Sequence, residues 1–202
     1  MSTLDTYKTI TKQAQGAIFK DKGSKFYGYA FPIRDEAQIK MHVESIKKEH
    51  YSARHWCYAF QIGTETISYR VNDDGEPKNS AGMPIYGQIQ SFGLTNVLII
   101  VVRYYGGTKL GMGGLINAYR TAANQVLTTA DIVERTINQN FRLYFEYKSM
   151  SKVMRLLKEH RIDIINQTLE HNCMLEISVR KGNSSKILEL FKDCFGVKID
   201  EL

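Results

Sequence analysis

The chain has 202 residues, 43% of them hydrophobic and 24% charged, which suits a globular protein with one or two hydrophobic cores. Its long apolar run, residues 97–102, is far shorter than the roughly 20 residues a membrane-spanning helix needs, and MSTLDTYKTITKQAQG lacks the apolar stretch of a secretory signal, so a cytoplasmic protein with no membrane partner is expected. The formal net charge of +6, spread over both halves, is compatible with nucleic acid or another acidic partner without requiring one.

Three cysteines, Cys57, Cys173 and Cys194, form no CxxC pair, so neither a disulfide framework nor structural zinc is expected. Residues 17–33, AIFKDKGSKFYGYAFPI, alternate well enough to predict a hairpin with a lysine-bearing turn at 21–24. Residues 36–50 place Ala37, Ile39, Val43 and Ile46 among charges, the pattern of an amphipathic helix. HWCYAFQI then predicts a strand whose core face carries Trp56, Tyr58, Phe60 and Ile62. His55 and Cys57 share the other face, with Arg54 and His55 expected at the rim of a polar surface on an open sheet face. A thiolate–imidazole pair is one reading of His55 and Cys57, but same-face neighbours are about 6.6 Å apart at the backbone, so Cys57 is better read as a small packed residue.

A neighbouring strand at 66–71 leads into NDDGEPKNSAGMPI. There Asp74 and Gly75 mark a turn, Ser80 is a plausible helix N-cap, and Pro84 falls in the first helical turn, where its missing N–H costs little. Lys78 therefore stands beside a helix N-terminus. Asp73, Asp74 and Glu76 read first as a solvated acidic turn; the alternative is a magnesium site, since hard oxygen ligands suit that ion.

Residues 96–123, NVLIIVVRYYGGTKLGMGGLINAYRTAA, run from a buried strand through a glycine-rich loop into a helix. Gly106, Gly107, Gly111, Gly113 and Gly114 leave backbone amides uncovered, and the helix points its positive end at them, which favours an anion such as phosphate. Arg103, Thr108, Lys109 and Asn117 are the side chains expected around it, and either Tyr104 or Tyr105 is expected to face outward and stack on bases. Neither GxxxxGK[ST] nor GxGxxG is matched, so a nucleotide hydrolase or dinucleotide site is not supported. After Gly114, Leu115, Tyr119, Ala122 and Val126 make one apolar stripe.

The first unit closes near Ala130, and DIVERTINQ serves as a short connector. The remainder reads as strand 141–147, helix 150–160, strands 162–170 and 174–180, helix 184–193 and strand 197–200, a ferredoxin-like βαββαβ order. Two domains are expected, 1–135 and 136–202, in an α+β chain.

At NDDGEPKNSAGMPI and VVRYYGGTKLGMGGLINAYRTAA, and also at GSKFYGYAFPI and RHWCYAF, the chain resembles the YigZ/IMPACT family over about half its length. The resemblance implies a two-layer N-terminal domain of the fold shared by a small-subunit ribosomal protein, the ribonuclease P protein and domain IV of elongation factor G, with a left-handed crossover. It also implies a C-terminal domain like domain V of that factor. Eukaryotic members carry an additional N-terminal domain that binds a translational regulator, which this sequence is expected to lack. Met83 and Asn117 depart from the family pattern, where basic residues are common, and both changes remove charge near the anion site.

The expected function is a non-enzymatic RNA- or ribosome-binding protein linked to translation, with no cofactor unless the acidic turn takes magnesium. Two alternatives are an enzyme or sensor for a small phosphorylated ligand and a protein-interaction module. The oligomeric state does not follow from the sequence.

Overall fold

The computed structural model describes residues 5–202. These form two compact units: Tyr7–Arg135, and Thr136–Leu202 together with Asp5 and Thr6. Among the described residues, no helix is long and apolar enough to cross a membrane.

In chain order the first unit contains β1 (Thr6–Ile10), β2 (Ala14–Gln15), β3 (Phe19–Asp21), β4 (Ser24–Pro32), α1 (Glu36–Glu49), β5 (His55–Ile62), β6 (Ser68–Asn72), α2 (Gly82–Ser91), β7 (Val97–Tyr104), α3 (Gly111–Thr129) and β8 (Ile132–Thr136). The main sheet runs β2-β4-β7-β5-β6, with β3 also on β4. The predicted hairpin is β3 and β4, closed by Lys22 (φ 43°) and Gly23 (φ 79°), the paired positive angles that fit the twist of a two-residue turn.

The central strand β7 is buried on both faces, which corrects the expected two-layer domain to three layers. Leu98, Ile100 and Val102 pack with Ile39 and Ile46 of α1 on one side. Val97, Ile99 and Val101 pack with Ile85 and Ile89 of α2 and Leu115, Tyr119, Ala122 and Val126 of α3 on the other. The strand is apolar at every position up to Arg103, so it had no polar face to leave open. The same burial corrects the reading of β5: Phe60 does face a core, but Cys57 and Ala59 on the opposite side are fully buried under α2 and α3.

DIVERTINQ is not a plain connector either, since β8 falls within it and pairs with β1. In the second unit β9 (Asn138–Glu146), α4 (Met150–Glu159), β10 (Asp163–Thr168), β11 (Asn172–Arg180), α5 (Ser184–Lys192) and β12 (Val197–Glu201) follow the βαββαβ order. Its antiparallel sheet runs β10-β11-β9-β12. Phe141, Leu143, Phe145, Leu175 and Ile177 alternate onto the face covered by Val153 and Leu157 of α4 and Ile187 and Phe191 of α5. That alternation is the period of two that one covered face requires.

Candidate functional site

The glycine loop is shorter than its sequence suggests. Residues 105–110 form it, while Gly111, Gly113 and Gly114 already belong to the first turn of α3. Gly106 is required by close approach: a Cβ there would lie 1.9 Å from the carbonyl carbon of Gly23, in the hairpin turn that abuts the loop. Ser24 Oγ fixes the same approach by accepting the Gly106 N–H at 3.2 Å. Gly107 (φ 86°) and Gly111 (φ 74°) occupy the left-handed region that glycine tolerates.

Strand period places the two residues before the loop on opposite faces. Arg103 points under α3 and is 5% exposed. Tyr104 points towards α1, where its hydroxyl meets Nδ1 of His50 at 2.9 Å. Tyr105 is therefore the outward tyrosine, 38% exposed. The guanidinium groups of Arg54 and Arg103 each lie 5.5 Å from its ring centroid. Thr108 and Lys109 are exposed.

Arg103 does not serve as a free cation. Its Nη1 donates to Glu76 Oε1 at 2.6 Å, and the same oxygen accepts the Tyr119 hydroxyl at 2.7 Å. Nη2 reaches Ser24 Oγ at 3.4 Å. His55 Nε2 stands 3.9 Å from Glu76 Oε1. A charge this deep needs a partner, and Arg103 has spent its charge on Glu76. What remains positive at the mouth is Lys109, Arg54 and the start of α3, whose N-cap Leu110 offers no side-chain acceptor. A cavity of about 320 Å³ opens here, lined by Arg103 and Glu76 together with Pro77, Tyr105, Lys109 and Met112.

The acidic turn is divided among three separate tasks. Asp73 caps α2: its Oδ1 accepts the N–H groups of Ala81 and Gly82 at 3.0 and 2.8 Å, and Oδ2 that of Asn79 at 2.9 Å. This corrects the assignment of Ser80, which is buried and donates its hydroxyl to the Pro77 carbonyl at 2.6 Å. Asp74 Oδ2 accepts the Trp56 N–H at 2.8 Å. The predicted turn is present, with Asp74 (φ 42°) and Gly75 (φ 86°) at its centre, and it lifts Glu76 towards Arg103. Among the described residues no three His, Cys, Asp or Glu side chains are grouped to hold a metal ion.

His55 is also not at the rim of an open face. Its Nδ1 lies 2.9 Å from the Asp74 carbonyl, beside the covered Cys57. Cys57 donates to the Asp73 carbonyl at 3.0 Å, its Sγ lies 3.3 Å from the Tyr119 hydroxyl, and burial pushes its thiol pKa far up, so a thiolate is disfavoured. Asn117 is exposed on α3 and Lys78 is exposed in the loop before α2. Sequence reasoning missed Ser24, whose only signal was its place after the Gly23 turn, and the apolar wall given by Pro77 and Met112.

Residues 22–127 match the model of the Impact N-terminal domain, which spans the hairpin, the acidic turn and the glycine loop. An IMPACT family member from Haemophilus influenzae is 34% identical over 84% of this chain and 82% of its own. The IMPACT family member YigZ of Escherichia coli is 35% identical over 69% of this chain and 70% of its own. A crystal structure described as a hypothetical protein superposes over 99% of this chain and 98% of its own, at 26% identity and a TM-score of 0.73. By domain match and by sequence identity, this chain belongs to the IMPACT family.

Proposed function

We propose that the protein is a non-enzymatic, cytoplasmic RNA- or ribosome-binding protein acting in translation or its regulation, and that it holds a phosphate at the start of α3. The observation that carries this reading is the convergence of Lys109, Arg54 and the uncapped N-terminus of a 19-residue helix around one exposed loop. Tyr105 adds an exposed ring at the same place. The likeness of the first unit to domain IV of elongation factor G, and of the second to its ferredoxin-like domain V, belongs to this reading. The βαββαβ order and the sheet order β10-β11-β9-β12 support the second likeness, while fold likeness alone does not fix function.

Crosslinking of bound RNA in cells followed by sequencing tests the reading. The native protein enriches a defined ribosomal or transfer RNA site that an Arg54→Ala, Lys109→Ala variant loses. No enrichment by the native protein contradicts it. Arg103 is left intact in this variant because removing it would strand the buried Glu76.

The cavity supports a second reading, a small phosphorylated ligand, because about 320 Å³ falls within the range of small-molecule sites. Saturable stabilisation by a mononucleotide, roughly 2.7 kcal/mol at 100 times its dissociation constant, with no dependence on RNA length, would favour it.

A further inference from the structure

The second unit carries a basic depression that the sequence did not reveal. His160 and Arg161 reach it from the end of α4, Arg180 from the end of β11, and Lys186 from the first turn of α5, around a volume of about 140 Å³. Asn183 and Ser178 complete its polar wall. Among the described residues no carboxylate lines it. Asp5, which pairs with Arg180, is held by it with Nε to Oδ2 at 2.6 Å and Nη2 to Oδ1 at 2.7 Å, and by the Gly182 N–H at 3.2 Å. No ion pair is formed by Arg161 or Lys186 among the described residues.

Arg161 is the informative member. It follows the C-cap His160 of α4 at φ 51°, the position after a helix where glycine is favoured and a side chain is disfavoured. Its backbone would be served better by glycine, and its side chain is placed among like charges. Arg161 and Lys186, brought to one depression with no carboxylate on its described lining, repel one another, and that repulsion is relieved when an anion enters.

We propose that this depression is a second phosphate-binding site, separate from the α3 loop, that takes a phosphodiester of an RNA strand through Arg161 and Lys186. The anion site stands on the second unit alone, whereas the assignment of the phosphate to RNA rests on the reading above.

The test is an Arg161→Gly, Lys186→Ala variant, since the glycine relieves the left-handed backbone and keeps the fold at least as stable as the native chain, as thermal unfolding will report. Binding of a single-stranded uridine oligonucleotide is measured against salt, and pyrophosphate is titrated while backbone amide shifts are followed by NMR. The variant is expected to bind RNA more weakly, with a slope shallower by about 0.7, the value for one single-strand phosphate no longer neutralised. Pyrophosphate is expected to shift the amides around residues 161 and 186 in the native chain and not in the variant. The absence of those shifts overturns the site, and an unchanged slope in a chain that binds RNA overturns the assignment of its phosphate to RNA. If the shifts occur but no oligonucleotide binds, the anion site stands and the RNA assignment fails.

Discussion

Arg103 and Glu76 lie 27 residues apart in sequence and meet at 2.6 Å, with side chains 6% and 4% exposed. Strand β7 delivers the arginine and the turn at Asp74 and Gly75 delivers the glutamate, so the pair joins the acidic segment to the floor of the glycine loop. Glu76→Leu leaves an unpaired buried guanidinium and is expected to cost about 3–5 kcal/mol. The double variant Glu76→Leu, Arg103→Met removes both charges and should recover most of that loss in urea unfolding. A double variant less stable than the single one would show that the pair is not the source of the effect.

Asp73 is expected to act as a helix cap. Asp73→Ala unmakes three backbone hydrogen bonds at 2.8 to 3.0 Å around the start of α2 and should cost about 2 kcal/mol, the upper end for a cap. The loss should be the same with and without magnesium in thermal unfolding. Stabilisation of the native chain by magnesium that Asp73→Ala abolishes would contradict the capping role.

The glycines separate into two kinds. Gly106→Ala puts a Cβ 1.9 Å from backbone and is expected to unseat the loop, with a loss above about 2 kcal/mol. Gly113, inside α3 with nothing within 4 Å of an added Cβ, should tolerate alanine and gain up to about 1 kcal/mol of helix stability. Circular dichroism melting of the two variants distinguishes them, and equal losses would show that the loop does not need this close approach.

Much of this arrangement was legible beforehand. The hairpin, α1, the α3 stripe and the βαββαβ order follow from local periodicity, and the quoted motifs identified the family. The third layer was not read, although the continuous apolar run of β7 fits a strand covered on both faces, because periodicity does not say which helix covers which face. Nor was the role of Asp73, whose hydrogen bonds skip eight and nine residues to Ala81 and Gly82, past the local N-cap signal at Ser80. Arg103 read as a ligand-binding cation because a sequence shows its charge but not Glu76 beside it. Which tyrosine faces outward needed the register of β7, which pairs Arg103 with both Phe26 and His55.

Two histidines give the first unit a pH dependence. Burial lowers the pKa of His42, which stacks on Phe31 at 4.2 Å, and of His50, whose Nε2 lies 2.6 Å from the Tyr29 hydroxyl. In the unfolded chain both titrate near 6.5. Below that value the unfolded state binds more protons than the folded one, so stability is full above about pH 6.5 and falls as the pH drops towards the lower folded values. His50→Gln should flatten this fall in urea titrations between pH 7 and 5. A fall of unchanged steepness would place its origin elsewhere.

The most direct test of the central claim is the salt dependence of RNA binding by the native chain and by the Arg54→Ala, Lys109→Ala variant, with the fold checked by circular dichroism. If the start of α3 holds phosphate, the variant binds more weakly and its slope of log affinity against log salt is shallower by about 0.7 for each single-strand phosphate it no longer neutralises. An identical slope in a folded variant would contradict phosphate binding at this loop.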